Sequence, residues 1–250
     1  MPVASLVRHT RRALNVAVTV LPLAALALAS APLAAQEAPS TKPTVAIMYF
    51  TNGAFGKVEE YAPLSKGLAE MLITELSGNT NIRVVERDRI QTLIEEQNLA
   101  AGGRIDQATA VRSGKILGAL HMLMGTFVVD TKERMRLDVR AINTETSELE
   151  FATTVSGKAD NMLELLSQLA TKLNQGLKLP DVPTAFQRGA AVGAKGPNQL
   201  KSMMLLSRAL EQQDRKNNQA AIALYKESLQ ANPENARAKT LLASLERGSE

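Results

Sequence analysis

Between Ile82 and Phe127 the chain reads IRVVERDRIQTLIEEQNLAAGGRIDQATAVRSGKILGALHMLMGTF. A short apolar run, Ile82 to Val85, passes straight into an amphipathic segment. There Ile90, Leu93, Ile94 and Gln97 recur at helical spacing and charges fill the other face. A second helical pattern, Ile105 to Leu117, stops at Gly118. Another apolar run, Leu120 to Val129, follows at once, apolar on both faces in its first half. Val45 to Phe50 (VAIMYF) is also apolar on both faces, as in a central strand covered from two sides. Helices must therefore lie on both faces of the central strands, which predicts a compact α/β sandwich.

The remaining pattern extends this frame. Tyr61, Leu64, Leu68, Leu72 and Leu76 form one helical stripe, with Gly78 at the place of a left-handed cap. Met135 to Asn143 alternates Leu137, Val139 and Ala141 with Arg136, Asp138 and Arg140. Leu149, Phe151, Thr153 and Val155 alternate likewise, and short polar turns separate these runs near 131–134 and 143–147. This predicts a β-meander with one solvated face. Asp160 is the predicted N-cap of a helix whose Met162, Leu166, Leu169, Leu173 and Leu177 make one stripe. The expected order is β-α-β-α-α-β-β-β-α over residues 44–178, helices packed on a mixed sheet. Pro180, Pro183, Pro197, Gly189, Gly193 and Gly196 then mark a linker, 179–198. Three helical segments over 199–248 complete the chain as a small all-α module.

The first residues read as an address. Arg8, Arg11 and Arg12 precede an uncharged run, Ala13 to Leu33, and small residues then give way to Gln36-Glu37. This is the order of a cleavable secretory signal peptide, 1–35, with cleavage after Ala35 or Ala29. The rival is an uncleaved anchor, which Pro22, Pro32 and the small-residue end disfavour. Residues 36–43 form a polar, mobile leader to the mature domain. The whole chain holds 29 Lys+Arg against 25 Asp+Glu. Three of those arginines and no acid lie in the leader, so the mature chain is close to neutral. With no basic patch and few aromatics, nucleic-acid binding is not expected.

The chain has no cysteine, which excludes disulfides, thiolate metal sites and a cysteine nucleophile. His121 is the one histidine outside the leader, and it lies between Leu120 and Met122 in an apolar strand. That is the setting of a satisfied core residue more often than of a base or ligand. Lys115 invites a phosphate-loop reading, but Thr109 and Ile116 occupy places that need glycine and Ser/Thr. No enzyme activity, cofactor, metal or small-molecule substrate is expected.

Two patterns resemble known families. Val84, Glu86, Arg87, Ile90, Leu93, Ile94 and Glu96 form a V-x-E-R-x-x-L-x-x-L-L-x-E type of run. Gly114, Lys115, Leu117, Gly118 and Ala119 form a helix end of the type G-K-x-L-G-A, with Gly125 in the next strand. In this order and separation they resemble the CsgG family, the curli secretion channel and its relatives, over about 44–177. That resemblance implies structural roles for Glu86, Arg87, Gly114, Lys115, Gly118 and Gly125, with Glu86 and Arg87 in structural ion pairs. It also implies a homo-oligomer. The family's channels lengthen two places into membrane hairpins, whose strands need ~9–11 residues each. The turns here are short, so a periplasmic scaffold is expected, peripheral to the membrane, with protein partners in the envelope. The alternatives are an outer-membrane channel subunit forming a ring, and a periplasmic enzyme with an unrecognised site.

Ala209, Ala221, Tyr225, Ser228 and Pro233 fall at the spacing of a tetratricopeptide repeat's small, small, aromatic, small and proline positions. Leu205 and Gln212 stand where that repeat has aromatics. The resemblance implies either a partner-docking module or a helical cap.

Overall fold

Val45, Ala46 and Ile47 are consecutive apolar residues with no alternation to mark a solvent side, and all three are buried. They form β1 (Thr44–Ile47), an interior strand of a mixed sheet between β3 and β4. A computed structural model describes residues 42–53, 58–98, 105–182 and 198–248, and all of these fall in one compact unit, Thr41–Glu250. The expected leader peptide and most of the expected linker lie outside the described residues.

After β1 come β2 (Thr51–Asn52), α1 (Val58–Tyr61), α2 (Leu64–Ser77), β3 (Arg83–Val84), α3 (Arg87–Glu96) and α4 (Gln107–Leu117). The meander is β4 (His121–Val129), β5 (Arg134–Asn143) and β6 (Leu149–Lys158). A 3-10 turn (Ala159–Asn161) leads into α5 (Met162–Gly176). Three C-terminal helices follow: α6 (Gln199–Asp214), α7 (Asn218–Ala231) and α8 (Ala236–Arg247). The strand order is β3-β1-β4-β5-β6, with β2 beside β4. β1 runs parallel to both β3 and β4, while β4, β5 and β6 are antiparallel. The protein is thus α/β, with helices packed on a mixed sheet and helices at its C-terminus.

The alternation in the meander sorts its two faces. Leu123, Phe127, Val129, Met135, Leu137, Val139 and Ala141 are buried beneath α2 and α5. Each of these side chains except Ala141 contributes about 1.5–3 kcal/mol through removal from water. On the far face α4 covers Met122 and Ile142, with α3 beside it. The rest of that face carries Thr126, Asp138 and Arg140 and is uncovered by any described helix.

Local chemistry explains where elements begin and end. Pro63 has no N–H to continue a helical ladder, so the stripe from Tyr61 divides into α1 and α2, with Pro63 at the N-cap of α2. Gly78 closes α2 in the right-handed region (φ −62) rather than as a left-handed cap. Asp106 caps α4 by accepting from Thr109 N at 2.7 Å. Gly118 ends α4 in the left-handed region (φ 65), where its own N–H and that of Ala119 bond back into the helix. Gly118→Ala should therefore lower stability by about 1 kcal/mol in urea melts, because the methyl group disfavours this backbone region.

Asp160 departs from its expected role. Its side chain accepts from Leu200 N of α6 (3.3 Å), while Gln199 Oε1 accepts from Leu163 N of α5 (3.4 Å). The N-terminal regions of two helices far apart in sequence thus satisfy each other's free donors.

Candidate functional site

Two places concentrate polar chemistry: a buried ionic junction beneath the C-terminal helices, and the uncovered face of the meander. The junction starts from α2, whose stripe Leu68, Ala69, Met71 and Leu72 is interrupted by Glu70, which is 1% exposed. Arg87 opens α3 and is also buried, with Nε 3.4 Å from Glu70 Oε2. Its Nη1 donates to Asp214 Oδ1 at 2.7 Å, and its Nη2 to Asp88 Oδ1 at 2.7 Å. Lys66 Nζ reaches the other oxygen of Asp214 at 2.7 Å, and Arg237 of α8 donates through Nε to Glu70 Oε1 at 2.5 Å. Four helices, α2, α3, α6 and α8, are thereby joined around two buried carboxylates and one buried guanidinium. Lys66 and Arg237 keep partial access to water, so the deep charges are those of Glu70, Arg87 and Asp214.

The surrounding packing makes this junction tight. Gly67 faces α6 so closely that a Cβ there would overlap the Ser207 hydroxyl. The Tyr49 hydroxyl donates to Gln91 Oε1 at 2.6 Å, and Lys66 Nζ stands 5.5 Å from the Tyr49 ring centroid. Burial holds the Tyr49 phenol well above its ordinary range, with Arg87 pulling it back, so it remains a neutral hydroxyl. Burial works against the Arg87 charge, but the charge and hydrogen bond of Asp214 outweigh it, and its pKa is raised.

Among the residues singled out by sequence, Arg87 enters this junction and Glu86 does not; Glu86 lies exposed at the N-cap of α3. Gly114 faces Thr144, which a Cβ would overlap, and Thr144 Oγ1 donates to Ala119 O at 2.6 Å. Gly125 lies beneath the Phe50 ring. Lys115 is exposed. Ala209, Ala221, Tyr225 and Ser228 are fully buried between α6 and α7, and Pro233 is exposed. The Tyr225 hydroxyl donates to Gln213 Oε1 (2.9 Å). Ser228 Oγ donates to Ser202 O (2.8 Å), and Asn235 Nδ2 donates to Ser202 Oγ (3.0 Å), which ties α8 to the pair.

Glu70, Lys66, Asp214 and Arg237 were not singled out. Glu70 carried a signal, a carboxylate among apolar helix positions. Asp214 and Arg237 carried none, because their partners lie more than a hundred residues away.

The second place is the outer face of the meander. Its floor holds Met124, Thr126, Asp138, Arg140 and Thr154, and it forms a groove of about 1490 Å³. Asp138 Oδ1 accepts from Arg136 Nη2 at 2.8 Å and from Thr154 Oγ1 at 2.5 Å. Lys172 Nζ donates to the Thr154 carbonyl at 2.9 Å. His121 lies away from this groove, buried, with Nδ1 paired to Glu150 Oε1. No group of three or more His, Asp or Glu side chains among the described residues could hold a metal ion.

Glu75, on α2, has its pKa pushed up to about 7, first by burial and then by the charge of Glu164. Between its ordinary value of 4.5 and about 7, only the folded state holds the proton, so stability falls as pH rises through that window. Glu75→Gln should therefore raise stability by about 1 kcal/mol at pH 8, a figure discounted for partial exposure. The gain should vanish near pH 4 when both proteins are melted across the pH range.

The family model described as "Curli production assembly/transport component CsgG" matches residues 27–129. The matched stretch runs through β1 to β4 and includes both signatures around Arg87 and Gly118. No curated protein matches the chain. Similar solved structures include the LpoB C-terminal domain from Salmonella enterica, at 13% identity and TM-score 0.38, covering 47% of this chain and 84% of that one. The PelC dodecamer from Paraburkholderia phytofirmans is similar at 10% identity and TM-score 0.35, covering 56% of this chain and 90% of that one. TolB from Acinetobacter baumannii is similar at 15% identity and TM-score 0.37, covering 56% of this chain and 29% of that one.

Proposed function

We propose that this chain is a non-enzymatic scaffold of the CsgG family, exported by a cleavable signal peptide to the periplasm, acting in curli-like secretion or outer-membrane assembly. The family match over residues 27–129 carries this reading, since it spans both ordered signatures. The geometry supports binding rather than turnover as its mode of action. The buried charges of the junction are spent on one another, and in the uncovered groove the Asp138 carboxylate is shared between Arg136 and Thr154. The connections of the meander, residues 130–133 and 144–148, are far shorter than a hairpin that crosses a membrane, which favours the scaffold over a pore subunit. The tetratricopeptide-like helices are proposed to dock protein partners, and the α/β part to form a homo-oligomer.

The test is photo-cross-linking in intact cells from exposed positions on the last two helices, such as Glu227 and Lys239. The reading expects envelope proteins or a second copy of this chain to be trapped. Reproducible trapping of cytosolic proteins alone would contradict it.

A further inference from the structure

The groove on the outer face of the meander has a charge imbalance that its own residues do not resolve. Four cations and two carboxylates line it: Lys66, Arg136, Arg140 and Lys172 against Asp106 and Asp138. Lys66 is bonded to Asp214 and Arg136 to Asp138. Asp106 is occupied in capping α4. Among the described residues, Arg140 and Lys172 have no ion-pair partner. Arg140 stands on the floor two residues from Asp138, whose carboxylate already serves Arg136 and Thr154. Arg140 is exposed, and although its charge adds to the bonds from Arg136 and Thr154 in holding the Asp138 carboxyl below its ordinary range, its fork of donors forms no ion pair among the described residues. Lys172 sits at the β6 margin, where its bond to the Thr154 carbonyl positions the ammonium without neutralising it.

The walls are of a different character. Ile94 and Ile105 face the same space, and Met124 lies on its floor. Apolar walls flanking an unpaired guanidinium fit a ligand that alternates carboxylates with aliphatic groups. At about 1490 Å³ the groove exceeds the ~300–1,000 Å³ of a small-molecule site. An extended chain turns alternate side chains to opposite sides, which matches a groove with Arg140 and Lys172 on its β6 side and Ile94 and Ile105 on its helix side.

We propose that this groove binds an extended acidic segment of a protein partner, with Arg140 gripping a carboxylate and Lys172 assisting at the β6 margin. The proposal rests on the scaffold reading and names the chemistry of its partner.

The probe is a fluorescein-labelled decapeptide of alternating Glu and Val, titrated by anisotropy into the mature full-length protein. A Lys–Val decapeptide and phosphatidylglycerol vesicles serve as comparisons. Binding of the Glu–Val peptide, weakened about tenfold by Arg140→Glu, is the expected result, because a charge-assisted bond and its geometry are lost. Arg208→Glu makes the same charge change on an exposed face of α6 and should leave binding unchanged. Melting curves of both variants report their folding. Methionine-methyl NMR of the unsubstituted protein should show the Met124 signal move on addition of the peptide, which tests the site without any variant. The proposal is overturned by no binding, by equal binding of the Lys–Val peptide, by an unaffected Arg140→Glu, or by binding of vesicles in place of the peptide. Cross-linking from the last two helices would still read the scaffold role separately.

Discussion

Arg87→Ala should destabilise the protein by about 3–5 kcal/mol, the range for breaking a buried ion pair from one side. The substitution leaves Asp214 with Lys66 and Glu70 with Arg237, both partly exposed cations, while the deep side of each carboxylate loses its compensating charge. A matching set of changes separates charge from packing. Replacing Glu70, Arg87 and Asp214 together by leucine or methionine should recover most of the loss, because apolar groups of similar volume need no partner. Urea unfolding at pH 7 measures both. If Arg87→Ala costs less than about 1 kcal/mol, the junction is hydrated and the ionic account of how the C-terminal helices are held is wrong.

Tyr225→Ala should cost about 3–5 kcal/mol, as expected for removing a fully buried aromatic ring. Tyr225 fills the space between α6 and α7, and α6 in turn packs on α2 through Gly67 and Ser207. The loss should appear as a shift of one cooperative transition, seen alike by far-ultraviolet dichroism and by tyrosine fluorescence. Tyr225→Phe removes only the bond to Gln213 and should cost about 1 kcal/mol. Two separate transitions in Tyr225→Ala would mean that α6 to α8 unfold independently of the sheet.

The parts of the fold that were legible in sequence are those set by local periodicity. The alternation in Met135 to Asn143 gave both the strand and its buried face, since a pleated strand turns successive side chains to opposite sides. The double-sided apolar run at Val45 to Phe50 marked an interior strand of the sheet. Gly118 was readable because few residues tolerate its backbone conformation. Pro63 was equally readable, yet the stripe through Tyr61 and Leu64 masked the break it imposes.

Long-range pairings left little trace. Glu70, Arg87, Asp214 and Arg237 come from four helices, and no spacing rule links them. Asp160 looked like the cap of its own helix, because an N-cap is a local pattern. Its carboxylate instead meets Leu200, a partner that only the tertiary arrangement supplies. The groove was half visible: the solvated alternation Arg136, Asp138, Arg140 was plain, but the apolar walls from Ile94 and Ile105 were not.

The central claim is that this is an exported envelope protein that works by binding. It is tested most directly by fractionating cells with an outer membrane and determining the intact mass of the protein recovered. The account predicts release from the periplasm by osmotic shock without detergent, with a mass that starts after Ala35 or Ala29. Recovery from the cytosol with residues 1–35 still attached, or only after detergent extraction, would contradict it.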